Sequence, residues 1–86
     1  MSTGFSYTVS DPNGIHARPA SVLVKKAAEA ESEVTVSVDK RQADAKSIFS
    51  IMGLGIKQGD VLTVSVTGPD EEKTATELEA FFKENL

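Results

Sequence analysis

Hydrophobic positions change their period several times along this chain, and each change marks an element. Phe5, Tyr7 and Val9 alternate with Ser6 and Thr8, the pattern of a half-buried strand. Asp11-Pro12-Asn13-Gly14 clusters turn formers and ends it. From Ala17 the period becomes helical, with Ala20, Leu23, Val24 and Ala27 at i, i+3, i+4 and i+7, one amphipathic stripe running to about Ala30. Val34, Val36 and Val38 alternate with Thr35 and Ser37 as a second strand, and Asp39-Lys40 turns the chain into a short polar one, Arg41 to Asp44. So short and charged a strand suits a sheet edge, where pairing with other chains must be discouraged.

Ser47 suits the N-cap of a brief helix carrying Ile48, Phe49, Ile51 and Met52, with Gly53 as its stop. Val61 to Val66 is a fourth strand with Leu62, Val64 and Val66 on one face. Gly68-Pro69-Asp70 breaks it and caps a last helix, where Glu71 and Glu72 meet the positive end of the dipole. Ala75, Leu78 and Phe82, helped by Phe81, form that helix's buried stripe. The order is βαββαβα. Four strands that are apolar on mainly one face require one helical layer on that face, which predicts an α+β open-faced sandwich: a four-stranded antiparallel sheet covered by three helices. With no repeat, linker or low-complexity segment, residues 1–86 are expected to form a single domain.

Composition narrows the chemistry. The 86 residues contain nine Lys plus Arg against thirteen Asp plus Glu, a net charge of −4 that argues against a general nucleic-acid binder. There is no cysteine, so disulfides, thiolate metal sites and thiol nucleophiles are excluded. The single histidine has no second His or Cys with which to hold zinc, so neither a metal nor another cofactor is expected. The N-terminal residues lack the basic and apolar regions of a signal peptide, and no apolar run approaches the ~18 residues a membrane helix needs. A cytoplasmic location without membrane insertion is expected, and nothing in the pattern calls for more than a monomer.

Asn13-Gly14-Ile15-His16-Ala17-Arg18-Pro19-Ala20 is the stretch that carries chemistry. Pro19 is tolerated near a helix start because the first four backbone N–H groups have no intrahelical acceptor. His16 therefore falls at or next to the N-cap, beside the amides of Ala17 and Arg18. A helix start of this kind carries about +0.5 of an elementary charge and accepts anions. Gly14 permits the tight turn before it, and Arg18 adds a planar cation suited to phosphate. The positive field disfavours imidazolium and leaves a neutral ring with a free lone pair near pH 7. A neutral imidazole beside an anion site is suited to accepting a phosphoryl group. Phosphate binding without covalent transfer, and a merely structural histidine, are the competing readings of these residues.

The motif Gly14-Ile15-His16-Ala17-Arg18-Pro19 resembles the active-site motif of the HPr family, the histidine-containing phosphocarriers of the bacterial phosphotransferase system. Ala45-Lys46-Ser47-Ile48 is similar to the family's regulatory serine motif, and Leu54-Gly55-Ile56 with Gly59 is similar to the segment after it, so the resemblance spans nearly the whole chain. It implies that His16 is phosphorylated by Enzyme I at the expense of phosphoenolpyruvate and donates to the IIA domains of sugar permeases. It also implies that Arg18 assists the transfer and that Asn13 helps to shape the site. Ser47 would be the target of HPr kinase/phosphorylase, adding about two negative charges beside the docking surface. Phe49 and Ser50 depart from the Met and Gly that usually follow in the regulatory branch, and this Phe is similar to branches without the kinase.

Arg18, Ser21, Val22 and Lys25 lie on the helix side opposite the apolar stripe, and Lys46 precedes the short helix whose Ile48, Phe49 and Met52 cannot all point inward. An apolar patch with a basic rim would attract acidic partner surfaces. By resemblance, these positions dock partners, including a transcriptional regulator. The alternative function is an HPr-like docking module of a nitrogen-related branch. Relatives of that second kind can lack the acceptor histidine, which this chain keeps at His16.

Overall fold

Alternation builds a four-stranded sheet, and the helical stripes cover one side of it. The computed structural model describes residues 3–12, 14 and 17–85, with residues 17 and 18 described by their backbone alone. The elements are β1 (Thr3–Thr8), α1 (Ala17–Glu29), β2 (Glu33–Val38), β3 (Arg41–Asp44), α2 (Ile48–Gly53), β4 (Val61–Thr67) and α3 (Glu71–Asn85). The strands lie in the order β1-β4-β2-β3 and every neighbouring pair is antiparallel. The expected open-faced sandwich is therefore observed, with the short charged β3 at an edge. No helix among the described residues is long and apolar enough to cross a membrane.

Register explains why one face is dry. Phe5, Val64, Val36 and Ala43 stand in one row across all four strands, and the next row is Ser6, Thr63, Ser37 and Gln42 on the opposite face. The apolar rows are closed by Ala20, Leu23 and Ala27 of α1, Ile51 of α2, and Ala75, Leu78, Phe81 and Phe82 of α3. Val24, expected in the stripe of α1, is only half-buried at its margin. Phe82 is fully buried, and the edges of Phe5 and Tyr7 approach its ring with centroids at 5.5 and 5.7 Å. Burying a ring of this size contributes about 1.5–3 kcal/mol.

Two details differ from the pattern-based expectation. α2 does not stop before Gly53 but includes it; Leu54 is the C-cap, and the left-handed turn falls on Gly55, with φ of 64°. The extra residue brings the Leu54 side chain into the core, at 3% exposure. Arg41 of β3 donates a hydrogen bond to the Leu54 carbonyl, which completes the end of α2. Asp70, expected as a simple turn and cap residue, also reaches across the fold. Its carboxylate accepts from the Ser32 hydroxyl and from the amides of Ser32 and Glu31, the latter two at 3.0 and 3.1 Å. These bonds, the Ser32 hydroxyl first and the Glu31 amide next, hold the Asp70 carboxyl below its ordinary pKa.

Candidate functional site

The segment that follows β1 and the loop between α2 and β4 are tied together. Just beyond β1, the Val9 amide donates to the Asp60 carbonyl at 2.9 Å and the Gly59 amide donates to the Val9 carbonyl at 2.8 Å. Gln58 adds a side-chain bond to the Ser10 carbonyl at 3.1 Å, and Asp60 accepts from the Lys57 amide at 2.8 Å. Further on, the Gly14 amide donates to the Asp11 carbonyl at 2.9 Å.

Gly14 is required twice over. Its φ of 63° lies in the left-handed region. A Cβ there would also stand 2.2 Å from the Ile56 carbonyl oxygen and 2.8 Å from the Lys57 Cα. Gly14 is therefore seated directly on the backbone that follows α2. Pro19 and Ala20 are buried, which anchors the first turn of α1, and this turn contains no acidic side chain. The positive end of the helix thus meets no carboxylate within the turn itself, while Asp11, just before it in the chain, lines a groove with Pro19 and Val22.

Among the residues singled out from sequence, Asn13 and His16 lie outside the described residues, and so do the side chains of Ala17 and Arg18, whose backbone forms the first turn of α1. Ser47 is the N-cap of α2, and its hydroxyl accepts from the Ser50 amide at 3.4 Å. On α1, Ser21 and Lys25 are exposed and Val22 is 40% exposed. On α2, Ile48 packs against the core, whereas Phe49 is 86% exposed and Met52 is 42% exposed. α1 and α2 are in contact. Lys46 is exposed, and its Nζ donates to the Ala30 carbonyl at 3.3 Å, just beyond the end of α1. A charge expected only at a docking rim thus also ties the end of α1 to the start of α2.

Sequence reasoning missed the residues that support the segment before α1. Gln58 and the backbone of Ile56 and Lys57 hold the loop that leads to α1, yet they are more than forty positions away from it in the chain. Nothing local to Gln58-Gly59-Asp60 names Ser10 or Gly14 as its partner.

Comparison with known proteins now adds to this geometry. Residues 4–84 match the family described as the PTS HPr component phosphorylation site. The chain is 49% identical over 67 residues to the phosphocarrier protein HPr of Lysinibacillus sphaericus, covering 78% of this chain and 76% of that protein. It is 38% identical over 82 residues to the phosphocarrier protein HPr of Mycoplasma genitalium, covering 94% and 93% of the two chains. A solved structure of a mycoplasma histidine-containing phosphocarrier protein superposes with a TM-score of 0.93 at 33% identity, covering 95% of this chain and 93% of the other. On its sequence and its fold alike, the chain belongs to the HPr family of phosphocarrier proteins.

Proposed function

We propose that the 86 residues act as one phosphocarrier domain that accepts a phosphoryl group on His16 and passes it on. One observation carries the assignment: the chain matches a family defined by its phosphorylation site, and His16 is its sole histidine. Phospho-Enzyme I is the donor, itself charged from phosphoenolpyruvate, and the IIA domains of sugar permeases are the acceptors. A lone pair of the neutral imidazole forms the N–P bond as the donor's bond to phosphorus breaks. The new dianion is held by the amides at the start of α1 and by Arg18. Asn13 shapes the approach, and Gly14 fixes the loop on which it stands. Because the first turn has no carboxylate of its own and a helix end contributes only a modest field, the group is stabilised modestly and can leave again.

Partner docking falls to the α1–α2 side, where Phe49, Met52 and Val22 supply apolar area and Lys25 and Lys46 a basic rim, around Ser21. Exposure of a large aromatic ring on so small a domain supports this use. Acidic surfaces are the matching partners. Ser47 is the proposed site of regulatory phosphorylation by HPr kinase/phosphorylase. Its hydroxyl already sits at the start of α2, so a phosphate there meets helix amides while placing about two negative charges beside Phe49. The protein works in the cytoplasm as a monomer.

The test is direct. Incubation with Enzyme I and phosphoenolpyruvate adds one acid-labile phosphoryl group, and His16→Ala takes up none. Labelling that persists in the variant would refute the assignment. Incubation with ATP and the kinase adds an acid-stable group that Ser47→Ala abolishes; an unchanged mass of the wild type would remove the regulatory role.

A further inference from the structure

The two edges of the sheet are not protected alike. β3 is four residues long and carries Arg41 and Asp44, charges that discourage an added strand. β1, at the other edge, is six residues long, Thr-Gly-Phe-Ser-Tyr-Thr, without a charge or a proline. Among the described residues only its inner side is paired, with β4, so every second backbone N–H and C=O faces outward. Phe5 and Tyr7 remain only half-buried on this flank, although both touch Phe82.

Beside this edge α3 presents Glu72, Ala75, Thr76 and Glu79, one stripe at i, i+3, i+4 and i+7, which with Thr3, Gly4 and Phe5 lines a groove. We propose that this groove and the free edge of β1 form a strand-addition site for an extended, basic segment of a partner protein, separate from the α1–α2 docking side. Backbone hydrogen bonds to β1 supply the affinity in this mode, and the side chains facing the helix layer supply the choice of partner. Glu72 and Glu79 are seven residues apart, about 10.5 Å along a helix. Same-face side chains on a strand fall at about 7 Å for i, i+2 and about 14 Å for i, i+4. Two long, flexible cations at i and i+4, with a small apolar residue between them over Ala75, bracket that spacing. A second copy of this chain fits worse, because pairing β1 with its twin would bring two acidic α3 stripes together.

The probe is a blocked heptapeptide, Ser-Lys-Thr-Val-Thr-Lys-Ser, titrated to millimolar concentration into the isotope-labelled full chain and followed by amide chemical shifts. Expected are shifts concentrated in residues 3–8 and 72–79, weakening as salt rises. Replacing both Lys of the peptide by Glu should raise the Kd roughly tenfold or more, about the sum of two exposed ion pairs. Glu72→Gln combined with Glu79→Gln should do the same; the peptide swap carries the test if that variant folds poorly. Absence of shifts in residues 3–8, equal binding of the Glu peptide, or shifts there that follow protein concentration without peptide would each overturn the proposal, the last in favour of a second copy.

Discussion

At the start of α3 the positive end of the helix is met from within the chain. Glu71 accepts a hydrogen bond from the Gly68 amide at 3.2 Å, Glu72 adds a second carboxylate to the first turn, and Asp70 stands one residue before them. At the start of α1, thirteen residues long against fifteen for α3, the first turn has no acidic residue at all, and the motif around it supplies His16 and Arg18 instead. The same backbone electrostatics serve two ends. Where the chain provides its own anion, the helix start becomes a structural corner, and Asp70 extends that corner by tying down Glu31 and Ser32. Where the first turn supplies none of its own, the field suits an external anion such as the proposed phosphoryl group. α2 stands between them, capped by the uncharged Ser47 hydroxyl, which phosphorylation would turn from the second kind of end towards the first.

Four changes test that contrast. The largest effect is expected from Arg18→Glu, which gives α1 the kind of internal anion that α3 already has. Phosphoryl uptake from phospho-Enzyme I should fall by about 10²–10³-fold, as when a group stabilising the transferred charge is lost, measured as the initial rate of phosphoprotein formation. A rate within a factor of three of wild type would break the contrast. Next is Gly14→Ala, which tests whether the α1 start depends on its seat against Ile56. A left-handed φ alone costs about 1–2 kcal/mol, and the approach to the Ile56 carbonyl adds to it, so urea unfolding should show a loss of roughly 2 kcal/mol.

Asp70→Asn probes the other end through pH. The folded Asp70 binds its proton more weakly than the unfolded chain does, so the stability it contributes is present above the ordinary aspartate pKa and is lost as pH falls below about 4. Removing the carboxylate should lower stability at neutral pH and flatten the acid limb, whereas the phosphorylation rate should change little; thermal midpoints between pH 2 and 7 report the first and the uptake assay the second. An acid limb as steep as that of wild type would remove Asp70 as the corner's ionisable tie. Ser47→Ala is the smallest change. Loss of one N-cap hydrogen bond should cost about 1 kcal/mol, read as a shift in the denaturation midpoint.

The central motif was legible because everything that defines it is local. A glycine that must turn, a histidine, an arginine and a proline at a helix start all fall within the six residues from Gly14 to Pro19. The element list was legible for the same reason, since a period of two or 3.6 is carried by neighbouring residues. α2 includes Gly53, the expected stop, and leaves the left-handed turn to Gly55, because the two glycines offer equivalent local signals and the burial of Leu54 chooses between them. Asp70 looked like an ordinary turn residue because its partners, Glu31 and Ser32, lie nearly forty positions back.

By itself, then, the sequence determined the seven elements, most of the apolar positions that turn inward, and the Gly14–Pro19 motif that marks the family to which the chain belongs. These follow from side-chain type, spacing and the dipole of a helix end, all short-range properties. Tertiary structure alone decided that β4 lies between β1 and β2, which leaves β1 as an uncharged free edge beside Glu72 and Glu79. It alone decided that Gly14 rests on Ile56, that Phe49 faces outward while Ile48 turns in, and that Asp70 serves a corner in another part of the chain. Each of those outcomes depends on which distant surfaces bury each other best, and no window of neighbouring residues contains that information.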